Sequence, residues 1–215
     1  MKQFRNMVYP YVAWIAVMIV APMLMIVLYA FTTAGNDVTT IRFTLDNFAR
    51  FFSDQVFLDV LWRSLFIAVI TTIICVLVGY PIAYAIAQRS EKSNMFWVLV
   101  ITMPTWINMM VRTYAWVGIL QDGGLINSLL GLFGIGPFKM MYTTFAVVLG
   151  MVYNFIPFMI LQIHTSLTKM DKSYLEAAAD LGANKVQSFL RVTLPLSLPG
   201  VLSGITLVFL PAVSS

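Results

Sequence analysis

The chain has 215 residues, of which 60% are hydrophobic and only 10% charged, and its mean hydropathy is +0.87. Soluble domains carry about 25% charged residues, so the composition excludes an ordinary soluble globular protein and points to lipid as the solvent. The net charge of +4 is spread beside apolar segments with no Lys/Arg run, which argues against a nucleic-acid partner and for charges that set membrane topology.

A hydrocarbon core of about 30 Å takes roughly 20 apolar helical residues to cross. The first such stretch follows Lys2 and Arg5 and covers Met7–Phe31. It exceeds the apolar core of a signal peptide, so it reads as a span, with Pro22 an interior kink point that neighbouring groups can satisfy. The polar segment Asp37–Arg63 contains FTLDNFARFF (Phe43–Phe52), whose aromatics predict docking at the membrane interface. A second span is expected at Ser64–Gln88, bent around Gly79-Tyr80-Pro81, and a short charged turn at Arg89–Lys92 leads into a third at Asn94–Val111.

The aromatic cluster Tyr114-Ala115-Trp116 precedes the glycine-punctuated segment Gly123–Pro137, which is too short to span and reads as interfacial or re-entrant on the outer side. A fourth span is expected at Thr143–Thr165, interrupted by Tyr153, Asn154 and Pro157, and a fifth from Leu198 to Ser215. With the N-terminus inside, the inner segments hold eight Lys/Arg and the outer ones five. That asymmetry places the N-terminus and the segment 168–196 in the cytoplasm. The expected fold is therefore all-α, a polytopic helical bundle forming one transmembrane domain.

Little in the chain offers chemistry. Cys75 is the only cysteine and lies in an apolar run, so neither an internal disulfide nor a cysteine metal site is expected. His164 is the only histidine. No G-x-x-x-x-G-K-[ST] phosphate loop occurs. A polytopic membrane enzyme would need a nucleophile with its base, or paired carboxylates, inside the spans, and no such set stands there. Gly200 and Gly204 are spaced for close helix packing.

The segment Thr168–Pro199 reads as a helix–turn–helix. Asp171 is placed to cap a first helix starting at Lys172, and Leu175, Ala178, Ala179 and Leu181 fall on or near one face. Gly182 stands where a left-handed cap is wanted, Asn184 can cap a second helix, and Pro195 is expected to end it. Physical reasoning alone leaves two uses open: a hairpin lying on the bilayer surface, or a docking element for a partner.

The run Glu176-Ala177-Ala178, then Gly182, then Val192-Thr193-Leu194-Pro195 resembles the EAA motif of ABC importer permeases. The spacing agrees throughout, and Val192 stands for the motif's isoleucine. The resemblance implies a cytoplasmic coupling loop that seats on an ABC ATPase subunit dimer. Glu176 would be the polar anchor, Ala177 and Ala178 the close-packing surface, Gly182 the turn, and Leu194-Pro195 the return to the membrane. It further implies a second permease subunit, an extracytoplasmic solute-binding protein and a plasma-membrane location, with ATP and magnesium bound by the ATPase and no cofactor in this chain. The family has six spans, so a sixth is expected beyond Ser215.

Phe43–Phe48, Pro104–Trp116 and Tyr153–Leu167 are similar to the PotB-type subfamily, the permeases of spermidine/putrescine importers. Permeases for sulfate or iron share parts of these stretches, and a channel or a carrier also uses broken helices. A polyamine path calls for aromatic faces and carbonyl oxygens, and Trp106, Asn108, Tyr114, Trp116, Tyr153 and Asn154 are the candidates. No Asp or Glu lies in an expected span, and Arg112 is an awkward cation for a polycation route. It is placed to snorkel to the outer interface or to dock a binding protein.

Overall fold

The computed structural model describes residues 2–32 and 42–215, with side chains described from residue 8 onward in the first stretch. The start of the polar segment, Asp37 included, and the side chains of Lys2 and Arg5 lie outside that description. Apart from one isolated bridge between Thr32 and Phe43, the regular elements among the described residues are helical. The chain divides into two compact units, Met1–Trp62 and Arg63–Ser215.

In the first unit, α1 (Lys2–Ile15) and α2 (Ala21–Ala30) form one apolar run through a turn of π-helix at Ala16–Val20. Pro22 explains the π turn. Its ring collides with the carbonyl four residues earlier and it has no N–H to give. That carbonyl belongs to Met18, inside the π turn, where the ladder has already shifted to an i→i−5 bond from Ala21 N–H to Ala16 O. The helix α3 (Asp46–Ser53) folds back onto the end of this run. Asn47 Nδ2 lies 2.8 Å from Thr32 O and 3.2 Å from both Tyr29 O and Ala30 O, so its two protons are shared among the three carbonyls at the end of α2. Phe31 and Phe48 stack with ring centroids 5.2 Å apart, while Phe43 and Phe52 stay exposed.

The helix α4 (Gln55–Ala87) is longer than its expected span 64–88 and runs on through Pro81. Next come α5 (Glu91–Thr102), α6 (Met109–Leu120) and α7 (Leu125–Leu132), where the structure differs from a single third span at 94–111. The helix tightens to a 3₁₀ turn at Met103–Trp106, opens at Ile107, and restarts at Met109 after an 89° bend. Pro104 supplies the break, because it donates nothing to the ladder. Thr102 Oγ1 reaches Val98 O and Leu99 O at 3.0 Å, Thr105 Oγ1 reaches Thr102 O at 2.6 Å, and Asn108 caps the new helix by accepting from Met110 N at 2.8 Å.

The segment Gly123–Pro137 holds α7, which closes with a Schellman turn at Gly134 (φ 72°). Buried Asn127 staples it: its Nδ2 donates to Phe138 O at 2.9 Å, and its Oδ1 accepts from Phe138 N at 2.9 Å.

The helices α8 (Thr144–Thr168) and α11 (Leu194–Val213) form the principal packed pair. Two glycines bring them together. A Cβ at Gly200 would strike Ser166 Cβ and lie 2.8 Å from Gln162 O, and one at Gly204 would lie 2.6 Å from Met159 Sδ. Cys75, Tyr80 and Ala83 of α4 complete the core with Met159, Ile160, Ile163, Leu167 and Val208. Four helical runs among the described residues are long and apolar enough to cross a bilayer, namely Val8–Ala30, Gln55–Ala87, Thr144–Thr168 and Lys185–Val213. Counting the bent pair Glu91–Trp106 and Met109–Leu132 as one span makes five.

Candidate functional site: the coupling loop and the broken-helix cavity

Between α8 and α11 the chain forms α9 (Ser173–Asp180) and α10 (Lys185–Ser188). Asp171 Oδ1 accepts from Ser173 N at 2.9 Å, so its carboxyl feeds the first turn of α9. That backbone bond, with a further bond from the Ser173 side chain, holds the carboxyl below the usual aspartate range. The helix ends in a Schellman turn: Ala183 N donates to Ala178 O at 3.0 Å, Gly182 N to Ala179 O at 2.9 Å, and Gly182 takes φ 79°. Asn184 then starts α10 with a full capping box, its Oδ1 accepting from Gln187 N at 2.9 Å and its N–H donating to Gln187 Oε1 at 3.0 Å.

One expectation for this loop is corrected. Pro195 does not end the second helix; the helical run continues from Lys185 to Val213. A π turn at Phe189–Thr193 makes this possible, with Leu194 N–H bonded to Phe189 O. The carbonyl that the Pro195 ring would strike is that of Arg191, which lies inside the widened turn. This is the same device as at Pro22. The loop's second helix and the fifth span are therefore one element.

That element is anchored in the core. Phe189 packs edge-on against Tyr80 and Tyr84 of α4, with ring centroids 5.8 and 5.1 Å away. Tyr80 Oη and Ser197 Oγ are 2.8 Å apart and buried. The loop's outer surface presents the opposite character. Glu176 and Ala177 are exposed, Ala178 is buried, and Tyr174, Leu181, Val186 and Leu190 are exposed, Leu181 at 89%. Leu194 is half-buried and Pro195 exposed. Beside the loop lies a cavity of about 700 Å³ whose charged lining comprises Arg89, Glu91, Lys172 and Glu176. The loop thus combines local caps, solvent-facing apolar side chains and an anchor in the core that ties it to α4 and α11.

Of the six candidate path residues, the structure brings three together. Trp116 and Tyr153 meet edge to face at 5.4 Å, and Asn154 is the next residue on α8. Trp106 and Tyr114 are 75% and 73% exposed, and Asn108 serves as the cap of α6. Arg112 was not among the candidates, yet it sits at the centre of the group. Its Nη1 donates to Asn154 Oδ1 at 2.9 Å, its guanidinium carbon stands 6.0 Å from the Tyr153 ring centroid, and its buried Nε has no partner among the described residues. It lines a cavity of about 360 Å³ with Trp116, Gly150 and Asn154. The signal that finds it is position: four residues before Trp116, Arg112 shares that side chain's helical face. His164, the only histidine, bonds Asn94 Oδ1 at 2.7 Å.

Comparison with known proteins identifies the family and the fold. Residues 79–215 match the model of the family described as binding-protein-dependent transport system inner membrane component. The spermidine/putrescine transport system permease protein PotB of Salmonella typhimurium is 38% identical over 216 residues, covering 98% of this chain and 75% of the relative. PotB of Escherichia coli is 37% identical over 210 residues, covering 96% and 76%. Among solved structures, a bacterial alginate ABC transporter in complex with an alginate pentasaccharide-bound periplasmic protein superposes with TM-score 0.75 at 16% identity. It covers 93% of this chain and 68% of that one, and it shares the fold. Since the family model spans well over half of the sequence and the relatives align along nearly all of it, the chain belongs to the inner membrane components of binding-protein-dependent transport systems.

Proposed function

We propose that this chain is the permease subunit of an ATP-driven ABC importer, and that it forms part of the translocation path for polyamines such as spermidine and putrescine. The observation that carries the importer reading is the coupling loop. It is capped at both helices, exposes Glu176 and apolar side chains outward, and continues without interruption into the fifth span. A rigid element of that kind converts closure of a partner into movement of α11, and through Phe189 and Tyr80 into movement of α4. The partner is an ABC ATPase dimer, which holds the ATP and magnesium, while this chain has no ATPase site of its own. A second permease subunit completes the path, and an extracytoplasmic binding protein delivers the solute. The N-terminus lies in the cytoplasm, on the side of the loop.

The polyamine assignment is supported by the names of the relatives and by the aromatic and amide groups at Trp116, Tyr153 and Asn154, which suit ammonium groups. The test is uptake by the full importer in proteoliposomes, with its binding protein, of labelled spermidine against putrescine, sulfate and iron. ATP-dependent spermidine uptake that putrescine competes is the expected result. Uptake of sulfate or iron alone overturns the substrate, and uptake that persists without ATP overturns the importer.

A further inference from the structure

Resting on the polyamine reading, we propose that Arg112 is a tethered cation occupying an ammonium-binding site of the translocation path. The site consists of the Asn154 amide oxygen and the Tyr153 ring, with Trp116 fixing that ring in place.

The geometry is that of a cation site already filled. The Asn154 oxygen accepts from Arg112 at 2.9 Å, the guanidinium carbon lies 6.0 Å from the Tyr153 centroid, and Trp116 buttresses the ring edge to face at 5.4 Å. An amide oxygen and an aromatic face are also the groups that hold a primary ammonium. The adjoining cavity of about 360 Å³ is mostly apolar, which suits a methylene chain, and among the described residues its lining contains no Asp or Glu.

The missing counter-charge makes the site exclusive. A desolvated cation without an anion is costly to hold, and the unpartnered Arg112 Nε shows that even the resident one is under-satisfied. Two cations in one small apolar space repel each other, so Arg112 and a polyamine amine compete. Arg112 is therefore easily displaced, yet its tether keeps its effective concentration in the millimolar range. It blocks stray polyamine but yields when a binding protein releases substrate directly into the path. The 89° break just before α6 offers the joint about which Arg112 can swing away.

The experiment measures ATP-independent binding of labelled spermidine to the full importer in nanodiscs, and its leak in proteoliposomes. It compares the parent with Arg112→Met, Arg112→Lys, Asn154→Ala and the Arg112→Met/Asn154→Ala double variant. Arg112→Met keeps the stem and removes the charge, so spermidine binding is expected to tighten about tenfold, the combined worth of one cation–aromatic contact and one hydrogen bond. The double variant is expected to lose that gain, and Arg112→Lys, a tethered cation again, to stay within about threefold of the parent. Unchanged spermidine binding in Arg112→Met, with ATP-driven spermidine uptake intact in the parent, overturns the proposal alone. A parent that takes up no polyamine overturns the underlying substrate reading, and this inference with it.

Discussion

Tyr80 and Ser197, 117 positions apart, share a buried hydroxyl–hydroxyl hydrogen bond of 2.8 Å, and its direction follows from the neighbours. Ser197 Oγ also lies 3.0 Å from Leu194 O, which can only accept. A hydroxyl has one proton, so Ser197 donates to Leu194 and Tyr80 donates to Ser197. The two substitutions are therefore unequal. Tyr80→Phe removes the donor and leaves Ser197 satisfied, costing about 1 kcal/mol, whereas Ser197→Ala orphans the buried tyrosine hydroxyl and costs about 1–3 kcal/mol. The double variant is expected to lose less than the sum. Unfolding in lipid nanodiscs reads the order, and equal costs for the two single variants contradict the assigned direction.

Gly182 tests the turn of the coupling loop. A Cβ there meets nothing within 4 Å among the described residues, so the cost of substitution comes from its φ of 79° rather than from crowding. The left-handed region costs an ordinary residue about 1–2 kcal/mol, and asparagine less. ATP-driven uptake is expected to fall in the order Gly, Asn, Ala, Val at this position, with membrane insertion unchanged. An alanine variant as active as the parent shows that the turn is not required in its observed form.

The helix–turn–helix between α8 and α11 was legible in the sequence because its caps are local. Asn184 and Gly182 act within three to five residues and Asp171 within two, so spacing alone points to them. What sequence could not show were the consequences of distant contacts and of ladder defects. Pro195 is a helix stop by every local rule, and only a π turn built on Phe189–Thr193, with Phe189 seated between Tyr80 and Tyr84, carries the helix past it. The break at Pro104 was equally hidden, because its apolar flanks satisfy the length and composition of a span. The contact of Arg112 with Asn154 was hidden for a related reason. A lone cation near an expected span end reads as interfacial, and its partner Asn154 lies 42 residues away.

Gly200 and Gly204 look alike in sequence and differ in what faces them. At Gly200 a new Cβ meets Ser166 Cβ and the backbone oxygen of Gln162, neither of which can move without shifting α8. At Gly204 the nearest atom is the flexible thioether of Met159. Gly200→Ala is thus expected to destabilise by about 1–3 kcal/mol through overpacking, and Gly204→Ala by less. Adding Ser166→Gly to Gly200→Ala is expected to restore part of the loss, because the Gln162 carbonyl remains in the way. Thermal unfolding of the four proteins in nanodiscs checks the order; Gly204→Ala as the more damaging single change contradicts the packing described.

Glu176 separates coupling from stability. Its side chain is exposed and lines the 700 Å³ cavity with Arg89, Glu91 and Lys172. Exposed substitutions away from packed features stay within about 0.5 kcal/mol, so Glu176→Gln and Glu176→Lys are expected to unfold like the parent. If Glu176 is the anchor toward a basic surface of the ATPase, the two differ in function. The amide keeps hydrogen bonding and loses the charge, lowering ATPase affinity by about tenfold, while the lysine sets like charges against each other and costs about a hundredfold or more. Titrating purified ATPase against permease complexes in nanodiscs measures both. The discriminating readout is salt: the parent's affinity is expected to weaken with rising ionic strength, and the Gln variant's to do so less. A lysine variant that binds ATPase as tightly as the parent removes Glu176 from the interface and leaves docking to the exposed apolar side chains Tyr174, Leu181, Val186 and Leu190.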